Sequence, residues 1–215
     1  MGTDPLFGNL YRFSEFTGNM SLPRQQYLLA GYPAIMFATG THAQAEWILP
    51  EIDRILGGRS LRYLFVSHFE SDECGGLGLF RRRYPGMTVL CANFAAKELP
   101  AFGYKGKVVS CDEGSRFSDG DISLRFFRYP AEVHLRDGLL CFEENSGVFY
   151  GSDAIIRPSN GRESIVDGSW QIEVSAIGPS RILDSVRRER LKKELSGIAP
   201  AFAATGHGPC VRFGI

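Results

Sequence analysis

The segment His68-Phe69-Glu70-Ser71-Asp72-Glu73 constrains this chain more than any other. It follows Leu61–Ser67, an apolar run of the length of one buried strand. Three side chains able to bind a metal fall at alternate positions: His68, Glu70 and Asp72. In an extended segment alternate residues share a face, so His68 and Glu70 can approach one ion while the chain curves to offer Asp72 to a second. Taken alone, the same string also fits a polar loop that happens to hold acids.

Residues far along the chain strengthen the metal reading. Of four histidines, three follow strand-like runs: His68, His134 and His207. Asp153, in Tyr150-Gly151-Ser152-Asp153-Ala154, is expected at the end of another strand. Loop ends gathered at one edge of a sheet scaffold are a common way to assemble a site. Three imidazoles with three carboxylates suit two divalent or trivalent first-row metals.

The organisation around these residues is an interleaving of strands and helices. Gln26–Ala30 and Pro33–Ala38 read as a hairpin about Gly31-Tyr32. Thr41 is an N-cap candidate for a helix over Ala43–Leu56, which Gly57-Gly58 ends. A short helix is expected over Leu77–Arg83, a strand over Met87–Cys91, a short helix over Ala92–Leu99 and a strand end at Val108-Val109. Ile122–Tyr129, Leu139–Glu143 and Gly147–Gly151 read as successive strands, with Asn145-Ser146-Gly147 turning between the last two. Arg157–Trp170 reads as a loop, Ser180–Leu195 as a helix and Phe202–Thr205 as a final strand. Ile182, Leu183, Val186, Leu191 and Leu195 are the expected buried stripe of that helix, and its Arg187–Glu194 run the solvated face. The expectation is one layered α/β domain over residues 1–215, with sheets packed between helices.

Composition removes several classes. Lys plus Arg balance Asp plus Glu at 24 each, which leaves no footprint for nucleic acid or acidic membranes. No apolar run approaches the roughly 20 residues of a membrane helix, and the N-terminus lacks a secretion signal. The five cysteines, Cys74, Cys91, Cys111, Cys141 and Cys210, are odd in number and form no CxxC pair. They fit a reduced, cytoplasmic protein better than a disulfide framework.

With these residues in place the sequence resembles the metallo-β-lactamase superfamily, which carries a His-x-His-x-Asp-His loop followed by a His, an Asp and a last His. It is similar in particular to the flavodiiron proteins and related oxygen-binding diiron domains, in which the second His of that loop is Glu, here Glu70. The intervals from Asp72 to His134 and from His134 to Asp153 are close to the diiron pattern; that from Asp153 to His207 is shorter. The resemblance implies a four-layered αββα sandwich. It implies that His68, Glu70 and His134 bind a first metal, that Asp72 and His207 bind a second, and that Asp153 bridges them. It also implies two iron ions with a bridging oxo, hydroxo or peroxo group, two zinc ions being the alternative. A hard anionic ligand such as Glu70 stabilises a ferric state, which zinc, lacking redox chemistry, does not need.

Three departures from the family pattern bear on function. Glu73 stands where the family commonly has His, and could either ligate the second metal or swing away. Ala38-Thr39-Gly40 stands where the superfamily has an Asp-x-Gly whose acid supports the metal loop. A flavodoxin-like stretch is not found, so no flavin is expected in this chain. Other residues have plainer readings: His42 as an exposed helix-start residue, Cys74 as a small buried one, and Phe69, Tyr129 and Tyr150 as core aromatics that could also shield the site. Arg136 and Asp137 could orient His134.

The function expected from the resemblance is a non-haem diiron protein that binds dioxygen or NO, as an oxygen reductase or as an oxygen sensor. Its expected partners are a separate electron donor or signalling protein, and a second copy in a homodimer. The rival is a dinuclear zinc hydrolase of an ester, thioester, lactone or phosphodiester, working through a metal-bound hydroxide.

Overall fold

Leu61–Val66 (β5) is buried at five of its six positions, as a strand covered on both faces must be. It sits in a seven-stranded sheet ordered β1-β2-β3-β4-β5-β6-β7, whose other strands are Gly2–Phe7 (β1), Leu10–Glu15 (β2), Arg24–Leu29 (β3), Ala34–Phe37 (β4), Thr88–Ala92 (β6) and Lys107–Cys111 (β7). The first four are antiparallel; β4 through β7 run parallel. The computed structural model describes residues 2–15, 23–130, 138–158 and 163–214.

The second half repeats the scheme. Its seven-stranded sheet is ordered β12-β14-β13-β11-β10-β9-β8. The strands are Arg116–Asp119 (β8), Ile122–Tyr129 (β9), Gly138–Glu143 (β10), Val148–Ile156 (β11), Ile165–Gly168 (β12), Phe202–His207 (β13) and Cys210–Phe213 (β14). Phe37 and Phe65 from the first sheet meet Phe126, Tyr150 and Phe202 from the second in one buried cluster between the sheets. Two further clusters lie outside. His42–Leu56 (α1), Leu77–Arg83 (α3) and Asn93–Ala101 (α4) cover the first sheet through Ile48, Ile52, Phe80 and Leu99. Trp170–Ser175 (α5) and Ser185–Leu195 (α6) cover the second through Trp170, Val174, Leu191 and Leu195. The layers are therefore helix, sheet, sheet, helix, the expected αββα sandwich.

The capping of α1 follows from its sequence. Thr41 Oγ1 accepts from the Gln44 N–H at 3.2 Å while Gln44 Oε1 accepts from the Thr41 N–H at 3.0 Å, and Gly57 closes the helix at φ 58°. The Asn145–Gly147 turn is held by Glu143, whose carboxylate accepts from Ser146 N–H at 2.6 Å.

Several expectations are corrected. Arg157–Trp170 is not all loop: Ile165–Gly168 pairs in parallel with Cys210–Phe213, and Trp170 opens α5. The helix expected from Ser180 starts at Ser185, because Asp184 takes the N-cap position and accepts from the Arg187 N–H at 3.0 Å. Leu183 precedes that cap and Val186 faces solvent in the first turn, so both lie outside the buried stripe, 64% and 77% exposed. The strand expected to stop at Gly151 runs to Ile156, which places Asp153 within it, and His207 is the last residue of β13 rather than part of a loop.

Candidate metal centre

The candidate residues come from both halves of the sandwich. His68 follows β5. Glu70 occupies the N-cap position of Ser71–Cys74 (α2), and Asp72 and Glu73 lie in the first turn of that helix. Asp153 lies in β11, and His207 ends β13. His134, with Arg136 and Asp137, lies outside the described residues.

Asp153 reaches the site through an irregular strand. The β11–β13 register shifts on either side of Ser152, and Ser152 adopts φ 40°. Such a bulge re-aims the next side chain. Gly206 makes room for it: a Cβ there would lie 2.6 Å from the Ser152 carbonyl oxygen and 3.1 Å from Asp153 Oδ1.

The donors then converge. His68 Nε2 lies 3.4 Å from Glu70 Oε2 and 3.6 Å from Asp153 Oδ2. His207 Nε2 lies 3.2 Å from Asp153 Oδ1 and 3.8 Å from Asp72 Oδ2. The two oxygens of Asp153 thus face different imidazoles, each with its own second carboxylate. Donors about 2.1 Å from a shared ion sit roughly 3.0–3.5 Å from one another; the 3.2 and 3.4 Å separations fall in that range, and the 3.6 and 3.8 Å ones lie just beyond it. Donor atoms of His68, Glu70 and Asp153 all fall within 4.8 Å of one another.

The second partner of each imidazole sets its orientation. His207 Nδ1 donates to the Pro23 carbonyl at 2.9 Å, which directs Nε2 toward Asp153 and Asp72. His68 Nδ1 is 3.5 Å from both Ser67 Oγ and Ser152 Oγ, and the Tyr129 ring meets the imidazole edge-on at 5.9 Å.

The electrostatics describe a pocket short of positive charge. Burial alone pushes the His68 pKa down, but the hydrogen bond to Glu70 and the charges of Glu73, Asp153 and Glu70 outweigh it and hold it at about 9. His207 is also raised: burial opposes protonation, and Asp153 overcomes it. Burial, followed by the charge of Asp153, raises the Asp72 carboxyl. Buried carboxylates that favour a cation are what a metal site requires before its ion arrives.

Glu73 faces elsewhere. Its Oε2 accepts from the Ser67 N–H at 3.1 Å, and its Oε1 accepts from the Tyr150 hydroxyl at 2.7 Å and the Ser152 hydroxyl at 2.8 Å. The side chain is 5% exposed, and burial raises its pKa. Sequence reasoning posed ligation or withdrawal for Glu73; it did not anticipate this hub, because Tyr150 and Ser152 are remote in the chain. Ala38-Thr39-Gly40 meets the metal loop through Thr39. Its N–H donates to the Glu73 carbonyl at 2.8 Å, and its Oγ1 accepts from the Gly76 N–H at 3.0 Å, so it anchors the chain where α2 ends.

No protein-family model matches the sequence, and no curated protein matches it. Solved structures do. Residues 1–254 of a diflavin flavoprotein from Nostoc superpose with a TM-score of 0.80 at 15% identity, covering 98% of this chain and 89% of that one. A metal-soaked flavodiiron core from Synechocystis gives 0.80 at 15% identity. Rubredoxin oxygen:oxidoreductase from Desulfovibrio gigas gives 0.73 at 17%. The fold is that of the flavodiiron protein core. Each of the latter two is matched over 98% of this chain and 57% of its own length, so this chain spans little more than half of either.

Proposed function

We propose that this chain is a non-haem diiron protein that binds dioxygen or NO, as an oxygen reductase or an oxygen sensor. The observation that carries the reading is the carboxylate of Asp153 between His68 and His207, with Glu70 beside the first imidazole and Asp72 beside the second. His68, Glu70 and one oxygen of Asp153 would hold one iron, with His134 as the further ligand the sequence supplies. Asp72, His207 and the other oxygen of Asp153 would hold the second. A bound iron pair supplies electrons to a diatomic ligand.

The chain's own residues prepare that chemistry. Glu70, in place of a neutral imidazole, makes the first position anionic and favours an oxidised metal. Pro23 fixes the ring of His207, and Tyr129 covers one side of His68. Glu73 holds Ser67 and the bulge at Ser152 without giving its oxygens to a metal. A separate protein supplies electrons or receives a conformational signal, and a homodimer is the proposed assembly.

Iron-loaded, chemically reduced protein in an oxygen electrode tests this. Rapid uptake of oxygen that is sustained by added reductant identifies a reductase; one stoichiometric, reversible binding event identifies a sensor. Zinc-loaded protein that hydrolyses aryl or thiol esters, beside an iron form inert to oxygen and NO, would overturn the proposal in favour of hydrolysis.

A further inference from the structure

We propose that the cavity beside Glu70 binds a small organic acid, its apolar body against Phe69, Leu77 and Phe102 and its anionic head among Arg81, Arg82 and Lys105. The cavity encloses about 650 Å³ between α2, α3 and the stretch that follows α4. That volume lies within the ~300–1,000 Å³ range of small-molecule sites.

Its walls combine two chemistries. Leu77, Leu99 and Phe69 supply apolar surface, and the rings of Phe69 and Phe102 meet with centroids 4.9 Å apart. Phe102 is nevertheless 73% exposed, an unusual fate for a phenylalanine in a lined cavity. Gly75 and Gly78 contribute no side chains and leave the space open.

The other chemistry is positive charge without a carboxylate to match it. Arg81, Arg82 and Lys105 all line the cavity, yet none forms an ion pair among the described residues. The only acid in the lining is Glu70, at the metal-centre side. A carboxylate supplies acceptor oxygens only, and an apolar body behind it covers the two phenylalanines. A neutral molecule would leave the cations unmatched, and an amine would meet three like charges.

The ligand would lie against Glu70, so it approaches the metal centre from the cavity side rather than through the sheet interface. Recognition itself needs no metal, which separates this site from the diiron proposal.

Isothermal titration of the full chain with octanoate, octylammonium and octanol provides the test, with two variants beside the native protein. Arg82→Glu and Phe102→Ala alter exposed residues, and thermal melts check that each variant is folded before it is titrated. The expected result is saturable binding of one octanoate per chain. Octylammonium and octanol should bind at least about tenfold more weakly, and each variant should lose about tenfold in octanoate affinity. Equal affinity for octylammonium, octanoate binding unchanged in both folded variants, or no octanoate binding in the millimolar range would overturn the proposal. None of these outcomes depends on whether the metals are iron or zinc.

Discussion

The Tyr150 hydroxyl donates to Oε1 of Glu73 at 2.7 Å, and this bond ties the metal loop of the first half to a strand of the second. With the Ser152 hydroxyl and the Ser67 N–H it brings three donors to one buried carboxylate. Glu73→Ala strands all three. Its expected cost is about 2–5 kcal/mol, seen as a lower urea midpoint, with two metals per folded chain retained. A variant of native stability that held a single metal would instead make Glu73 a ligand.

Asp153 offers one oxygen to each imidazole, whereas Asp72 approaches only His207. Asp153→Ala should therefore reduce occupancy at both positions, and Asp72→Ala at one. Elemental analysis of the two purified variants distinguishes them; equal losses would show that Asp153 does not bridge.

Burial pushes the Cys74, Cys91 and Cys111 thiols up to about 12, with Cys141 well above its ordinary value and Cys210 also raised. A thiol at 12 is about one ten-thousandth thiolate at pH 8. Because the folded pKa is raised, the reactive form is scarce at neutral pH and grows tenfold per pH unit until about 12. Native protein should react slowly with an aromatic disulfide reagent at pH 8, and five thiols should appear on unfolding. Prompt labelling of Cys74 in the native state would contradict this environment.

Gly76 packs where no side chain fits: a Cβ would lie 2.4 Å from the Ala45 Cβ and 3.1 Å from the Thr39 Cβ. Gly76→Ala should cost about 1–3 kcal/mol through overpacking of α1 against the metal loop. Denaturant titration reads this directly, and an unchanged midpoint would mean that the loop shifts freely.

The sequence was most legible where a strand is buried on both faces or a helix carries its own caps. Leu61–Val66 and the Thr41–Gln44 capping box are of this kind. Gly2–Phe7, Arg116–Asp119 and Ile165–Gly168 went unread because they are half-exposed edge strands with mixed composition, where pairing rather than periodicity decides. Leu10–Glu15 and Cys210–Phe213 went unread as well. Leu183 suits a longer helix, but Asp184 caps it first; Val186, in the first turn, faces solvent all the same. In the candidate centre, residue type and order marked His68, Glu70, Asp72, Asp153 and His207. The bulge at Ser152, the Pro23 carbonyl and the Glu73 hub depend on approaches between distant segments, for which neither spacing nor residue type carries a signal.

The most direct test is the iron and zinc content of protein purified without oxygen, followed by its optical spectrum on admitting air. The account predicts two irons per chain, little zinc, and an absorption change that develops as oxygen binds. Two zincs per chain, in a protein whose spectrum air leaves unchanged and which takes up no iron on reconstitution, would contradict it.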